Sequence, residues 1–150
     1  MIDRVDRDVQ RLLHMIEGIK RLKEIFANVS KAAFLEDLRL QDASAFDIST
    51  IGEAAAHVSE EFQLAHPEIP WIKMRGIRNR LVHIFDYEQI NYDIIWMVAT
   101  VELPELEPKI RAALATIPLP DDFTLPEVEP IVKLISNRET GNERRKPIDS

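Results

Sequence analysis

The chain contains no cysteine. Disulfides and thiolate-held metals are therefore excluded, and the composition agrees with a reducing compartment. Long apolar runs are missing too, since none approaches the roughly 18–20 residues that a membrane span needs. The opening MIDRVDRDVQ is charged from its third residue and has no apolar centre, so it does not read as a secretory signal. These absences predict a soluble, cytoplasmic protein with no membrane partner. Glycine is scarce, with four in 150 residues, and no Asn-Gly or Asp-Gly hairpin signal occurs. Strands lack any convincing period-2 run, which leaves an all-α fold as the expectation.

Positive charge is also in short supply. Nineteen Lys and Arg face 26 Asp and Glu, for a net charge of −7. That balance argues against a broad nucleic-acid groove, which needs clustered cations. One stretch reverses it. Between Trp71 and His83 lie Lys73, Arg75, Arg78 and Arg80, with no acid among them. A basic stripe on an acidic chain suggests a compact anion site. The plainer alternative is a solvated helix face.

What is abundant is helical spacing. Val5, Val9, Leu12, Leu13, Ile16, Ile19, Leu22 and Phe26 recur every three or four residues and predict a helix over about residues 3–28. Ser30 can cap a short second helix over 31–38. A third helix is expected over about 41–66, with Phe46, Ile48, Ile51, Ala55, Val58 and Phe62 on its apolar face. The small residues Gly52 and Ala54–Ala56 mark a seam for close packing, and Pro67 ends the helix. Pro70 suits the start of a fourth helix running to about Phe85. Asn91 can cap a fifth, in which Pro104 implies a kink or two consecutive helices. The expected architecture is an antiparallel bundle of four to five helices over residues 1–117. Residues 118–150, with Pro118, Pro120, Pro126 and Pro130 and a charged end, form a C-terminal extension, partly flexible.

The chemistry concentrates in residues 75–85, RGIRNRLVHIF. On an ideal helix Met74, Ile77, Leu81, Ile84 and Phe85 form one apolar stripe, and Arg75, Asn79 and His83 lie on another face. Asn79 and His83 are four apart and can hydrogen-bond. Arg78 stands at the edge of the apolar stripe, about 140° from His83. The two can serve one substrate only if the helix tightens or ends near His83, or if a second copy completes the site. Imidazole is suited to proton transfer near neutral pH, and guanidinium grips phosphate and stabilises developing charge. The set suits attack of an RNA 2′-hydroxyl on its own phosphate, a reaction that needs no metal. A histidine and arginine that merely fill a helix-packing network are the alternative. Nearby, Glu53 either pairs with Arg78 or Arg75 or stays solvated. Trp71 and Trp96 are expected as packing anchors, and His14, His57 and His66 as structural or exposed.

Arg78-Asn79-Arg80-Leu81-Val82-His83 resembles the R-x4-6-H signature of the HEPN superfamily, and with Phe85 it looks like the R-x4-H-x-Y motif of HepT proteins. Ile51–Ala55, Ser59–Phe62, His66–Trp71 and Leu103–Leu106 also resemble HepT segments, in the expected order. The resemblance covers about residues 5–114. It implies a homodimeric helical bundle with a composite cleft, acting as a metal-independent ribonuclease toxin without a cofactor. It also implies a cognate antitoxin, a minimal nucleotidyltransferase that transfers AMP to the motif tyrosine. By this match Arg78 and His83 are catalytic and Asn79 supporting, with Arg75, Arg80 and Lys73 alongside for RNA binding. The chain departs from the pattern at Phe85, which has no hydroxyl to modify. Tyr87 could serve as a displaced AMP acceptor, the antitoxin could neutralise by binding alone, or toxicity could be lost. A non-catalytic helical partner or substrate-binding subunit of the nucleotidyltransferase is the alternative function.

Overall fold

A computed structural model describes residues 4–86 and 91–118, with the side chains of Arg4, Arg78 and residues 80–86 outside that description. Met1–Pro118 forms one compact unit. The expected C-terminal extension lies almost wholly outside the described residues.

The described residues form helices joined by short loops, without a strand. In chain order the helices are α1 (Arg4–Phe26), α2 (Lys31–Glu36), α3 (Leu38–Ala56), α4 (Glu60–Ala65), α5 (Trp71–Asp86), α6 (Tyr92–Met97) and α7 (Leu103–Ala115). A π-helical turn, Val98–Glu102, joins α6 to α7. No helix among the described residues is long and apolar enough to cross a membrane.

Helix boundaries follow local chemistry. Asn28 takes a left-handed conformation (φ 64°), which asparagine tolerates and which ends α1. Ser30 accepts from Ala33 N at 3.1 Å and starts α2. Asp37 accepts from Leu40 N at 3.1 Å and starts α3, earlier than the spacing suggests. Gln41 donates to the carbonyls of Phe34 and Leu35, which closes the end of α2. Asn91 caps α6 as expected, accepting from Asp93 N.

The long third helix expected over 41–66 is two helices. It breaks at His57–Ser59 because Ser59 caps α4, accepting from Phe62 N at 3.2 Å. Asp8 of α1 holds that break, accepting from Ser59 N at 2.8 Å and from Ser59 Oγ at 2.5 Å. Phe46 also departs from expectation. The buried stripe of α3 runs through Gln41, Ser44, Ala45, Ile48, Ile51, Gly52 and Ala55, and Phe46 lies off it, 67% exposed. Pro104 is accommodated in the first turn of α7, where its missing N–H is tolerated, and the π-helical turn precedes it.

The core lies between α1, α3, α5 and the α6–α7 path. Leu12, Met15, Ile19 and Leu22 of α1 meet Ile48, Ile51 and Ala55 of α3, Met74 and Ile77 of α5, and Val98, Leu103 and Ile110. Phe26, Phe34 and Trp96 form an aromatic cluster at one end, with centroids 5.4–5.6 Å apart. Burial of these side chains supplies the main stabilisation of the bundle. Of the small residues expected as a seam, Gly52, Ala54 and Ala55 are buried and Ala56 is exposed.

Candidate functional site

The helix α5 carries the motif, and its entry is tightly fixed. Trp71 is buried and its Nε1 donates to the His66 carbonyl at 2.9 Å. The His66 ring is held by Glu68 Oε1 at 2.9 Å and Thr116 Oγ1 at 3.3 Å, and stacks on Phe62 with centroids 4.3 Å apart. Glu68 sits below the usual carboxylate range, first through a backbone N–H bond within its own residue and then through His66. This carboxylate–histidine–hydroxyl series is structural, because the Thr116 hydroxyl donates to the Ala113 carbonyl at 2.6 Å. His66 thus fastens the α4–α5 loop to the end of α7. His14 and His57 are exposed, which agrees with the reading of all three histidines as structural or exposed.

Along α5, Trp71, Met74 and Ile77 are buried. Ile72, Lys73, Arg75 and Asn79 are exposed. Arg75 and Asn79 are four apart and share a face, as the helical wheel anticipates. Gly76 is half-buried, and a Cβ built on it would meet nothing within 4 Å among the described residues. Lys73 Nζ lies 3.3 Å from Glu102 Oε1 at the end of the π-helical turn. The spacing of 29 residues hides that pair from any local pattern. Glu53 is partly exposed and lies 3.6 Å from His57 Nδ1.

The side chains of Arg78, Arg80 and His83 lie outside the described residues, as do Phe85's side chain and all of Tyr87. The backbone carrying the motif is described. It stays α-helical from Trp71 to Asp86, three residues beyond His83. The helix therefore neither ends nor changes type at His83. Arg78 and His83 keep their helical register, about 7.5 Å apart along the axis and about 140° around it. Among the described residues, no group of three or more His, Asp or Glu is arranged to hold a metal ion.

Comparison with known proteins identifies the family. The family described as "Ribonuclease HepT-like" matches residues 15–113, from the middle of α1 to near the end of α7. A protein of Caldanaerobacter subterraneus subsp. tengcongensis named "Putative RNase TTE0752" is 33% identical over 103 residues, covering 69% of this chain and 90% of its own. "Putative RNase MJ0127" of Methanocaldococcus jannaschii is 31% identical over 99 residues, covering 65% of this chain and 80% of its own. "Probable ribonuclease HepT" of Thermococcus cleftensis is 30% identical over 95 residues, covering 63% and 84%. No solved structure matches. The match covers most of the packed bundle and includes every residue of the α5 motif, and the chain belongs to the HepT-like ribonuclease family.

Proposed function

We propose that the protein is a metal-independent endoribonuclease and the toxin of a toxin–antitoxin pair, acting in the cytoplasm. The observation that carries this reading is the Arg78-x4-His83 spacing on an unbroken α5, inside the region shared with the family. His83 takes the proton from a ribose 2′-hydroxyl, whose oxygen attacks the adjacent phosphorus. The 5′-oxygen of the next nucleotide leaves, taking its proton from water or from the imidazolium that His83 has become. Arg78 stabilises the charge on the phosphate as it develops. The products are a 2′,3′-cyclic phosphate and a 5′-hydroxyl end. Asn79 orients His83 or a ribose hydroxyl, and Arg75 and Arg80 guide the RNA backbone. Lys73 contributes less directly, since its ammonium is shared with Glu102.

A second copy of the chain completes the site under this reading. Support comes from the angle of about 140° between Arg78 and His83 on one continuous helix. It comes also from Ile72 (80% exposed) and Phe46, apolar side chains left on the surfaces of α5 and α3. The partner is a minimal nucleotidyltransferase acting as antitoxin, and Tyr87 is its AMP acceptor, displaced by two residues from Phe85.

Incubation of the purified protein with RNA and EDTA tests the activity. Cleavage with cyclic-phosphate ends is expected, with at least about a hundred-fold loss in Arg78→Ala and in His83→Ala. Intact RNA, or variants as active as the parent, would sink the proposal. For the partner, co-expression with the nucleotidyltransferase should add one AMP to Tyr87 by mass spectrometry. The competing reading, a non-catalytic partner of that enzyme, draws on the missing hydroxyl at Phe85 and predicts the complex without cleavage.

A further inference from the structure

A cavity of about 150 Å³ opens between α5 and α7. Its apolar lining is Met74, Ile77, Leu103 and Leu106, each at most 6% exposed. Glu102 and Lys73 line it as well, and they form the ion pair described above. Lys73 engages only Oε1 of that carboxylate. Glu102 Oε2 is buried with no hydrogen-bond partner. A buried acceptor left without a donor costs stability, so a donor brought into the cavity would relieve that cost. Glu102 is moreover the last residue of a π-helical turn, a distortion found frequently at functional sites. The cavity, the unpartnered oxygen and the distorted turn are separate observations that meet at one place.

We infer that this cavity is a nucleobase subsite, selective for adenine or cytosine in the RNA strand that passes α5. The inference rests on the ribonuclease reading for its choice of ligand. A cavity of this size accepts a benzene-sized ring, and the apolar lining suits the faces of one unstacked base. Glu102 Oε2 accepts from the exocyclic amine, as carboxylates do from an amino base. The Lys73 ammonium has three donors and spends one on Glu102, so it can also donate to the neighbouring ring nitrogen. Adenine and cytosine present that amine beside that acceptor. Uracil puts a carbonyl oxygen where the amine belongs, facing the carboxylate. Guanine flanks its amine with an N–H on the pairing edge, where Lys73 finds no acceptor.

Charge favours a base over a protein side chain. Lys73 and Lys109 are balanced around the cavity by Glu102 and Glu105. A guanidinium from a protein partner would add a third cation against two lysines, whereas an aminobase is neutral. The position also fits the motif. Lys73 and Ile77 precede Arg78 on the same helix by five residues and one, within about 7.5 Å along the axis. A base in the cavity thus belongs to a nucleotide next to the phosphate at Arg78.

The test needs no catalysis. Methyl signals of Met74 and Ile77 are followed by NMR during titration of the full chain with AMP, CMP, GMP and UMP, and separately with N-acetyl-arginine amide. AMP and CMP should shift both methyls, at least about ten-fold more tightly than UMP or GMP. In Glu102→Gln the preference should shrink to within about two-fold, since the amide no longer offers a charged acceptor. Equal response to all four nucleotides, no response in the parent chain, or a preference that survives the substitution overturns the inference. A response to the arginine amide alone also overturns it, in favour of a protein partner. The parent titration decides even if the variant misfolds. Base-selective shifts without RNA cleavage would leave the subsite standing and remove the ribonuclease reading. Cleavage without methyl shifts would do the reverse.

Discussion

At Gly18 one absent carbon sets how closely α1 and α3 approach. A Cβ there would lie 2.6 Å from Ile51 Cγ1 and 2.9 Å from Ile51 Cδ1. Ile51 is buried and β-branched, so it has little room to turn away. Gly18→Ala should therefore lose stability despite its better helix propensity, by about 1–3 kcal/mol in urea unfolding. A gain in stability would show that the seam can slide. A second residue-scale device is Glu107, buried on α7 and hydrogen-bonded by Lys23 of α1 and Arg111. Burial alone would raise its carboxyl, but those bonds and the two positive charges outweigh burial and hold it below the ordinary 4.5. Its contribution is thus present above about pH 4.5 and lost as pH falls through the lowered folded value. Glu107→Gln should cost about 1–2 kcal/mol at neutral pH, with the gap closing as pH falls through the lowered folded value. Asp47 acts with the opposite sign. Burial raises it above 3.8 despite Arg21 beside it, so its contribution favours folding in acid and is lost as pH rises. A gap that stays constant with pH would mean that Glu107 acts through packing and not through its charge.

At the scale of elements, legibility followed the range of the interactions. The spacing of α1, the Ser30 and Asn91 caps and the seam at Gly52 are local signals, and the structure agrees with them. The break between α3 and α4 is not local, because Asp8 holds Ser59 from 51 residues away. Phe46 misled because an apolar residue at helical spacing was assigned to the core stripe that its neighbours occupy. The π-helical turn and the Glu102–Lys73 pair left no pattern in the sequence at all. For α5 the register was legible: Met74 and Ile77 are buried, while Arg75 and Asn79 are exposed. Gly76 gives this helix its own prediction. Glycine within a helix costs up to about 1 kcal/mol against alanine, and no atom of the described residues lies within 4 Å of a Cβ built there. Gly76→Ala should stabilise an isolated chain while weakening self-association, if the second copy packs on this face. Sedimentation equilibrium beside urea unfolding separates the two effects, and unchanged association would move the interface elsewhere.

For the whole molecule, the helical class and family were legible, while the finished site was not, because under the proposed reading its geometry depends on where a second copy lies. The sequence named Arg78 and His83, and the unbroken α5 removes the option that the helix ends between them. If the site joins Arg78 of one protomer to His83 of the other, two dead variants should repair each other. A heterodimer of Arg78→Ala with His83→Ala then contains one site with both residues intact and one with neither. Random exchange makes half of the dimers mixed, so the mixture should recover about one quarter of the parent activity. If each site instead draws both residues from one chain, every site in the mixture lacks one of them and no recovery occurs. The measurement is RNA cleavage before and after the two inactive proteins are unfolded and refolded together. Persistent inactivity, with mixed dimers shown by mass spectrometry, would eliminate the shared site while leaving the roles of Arg78 and His83 open.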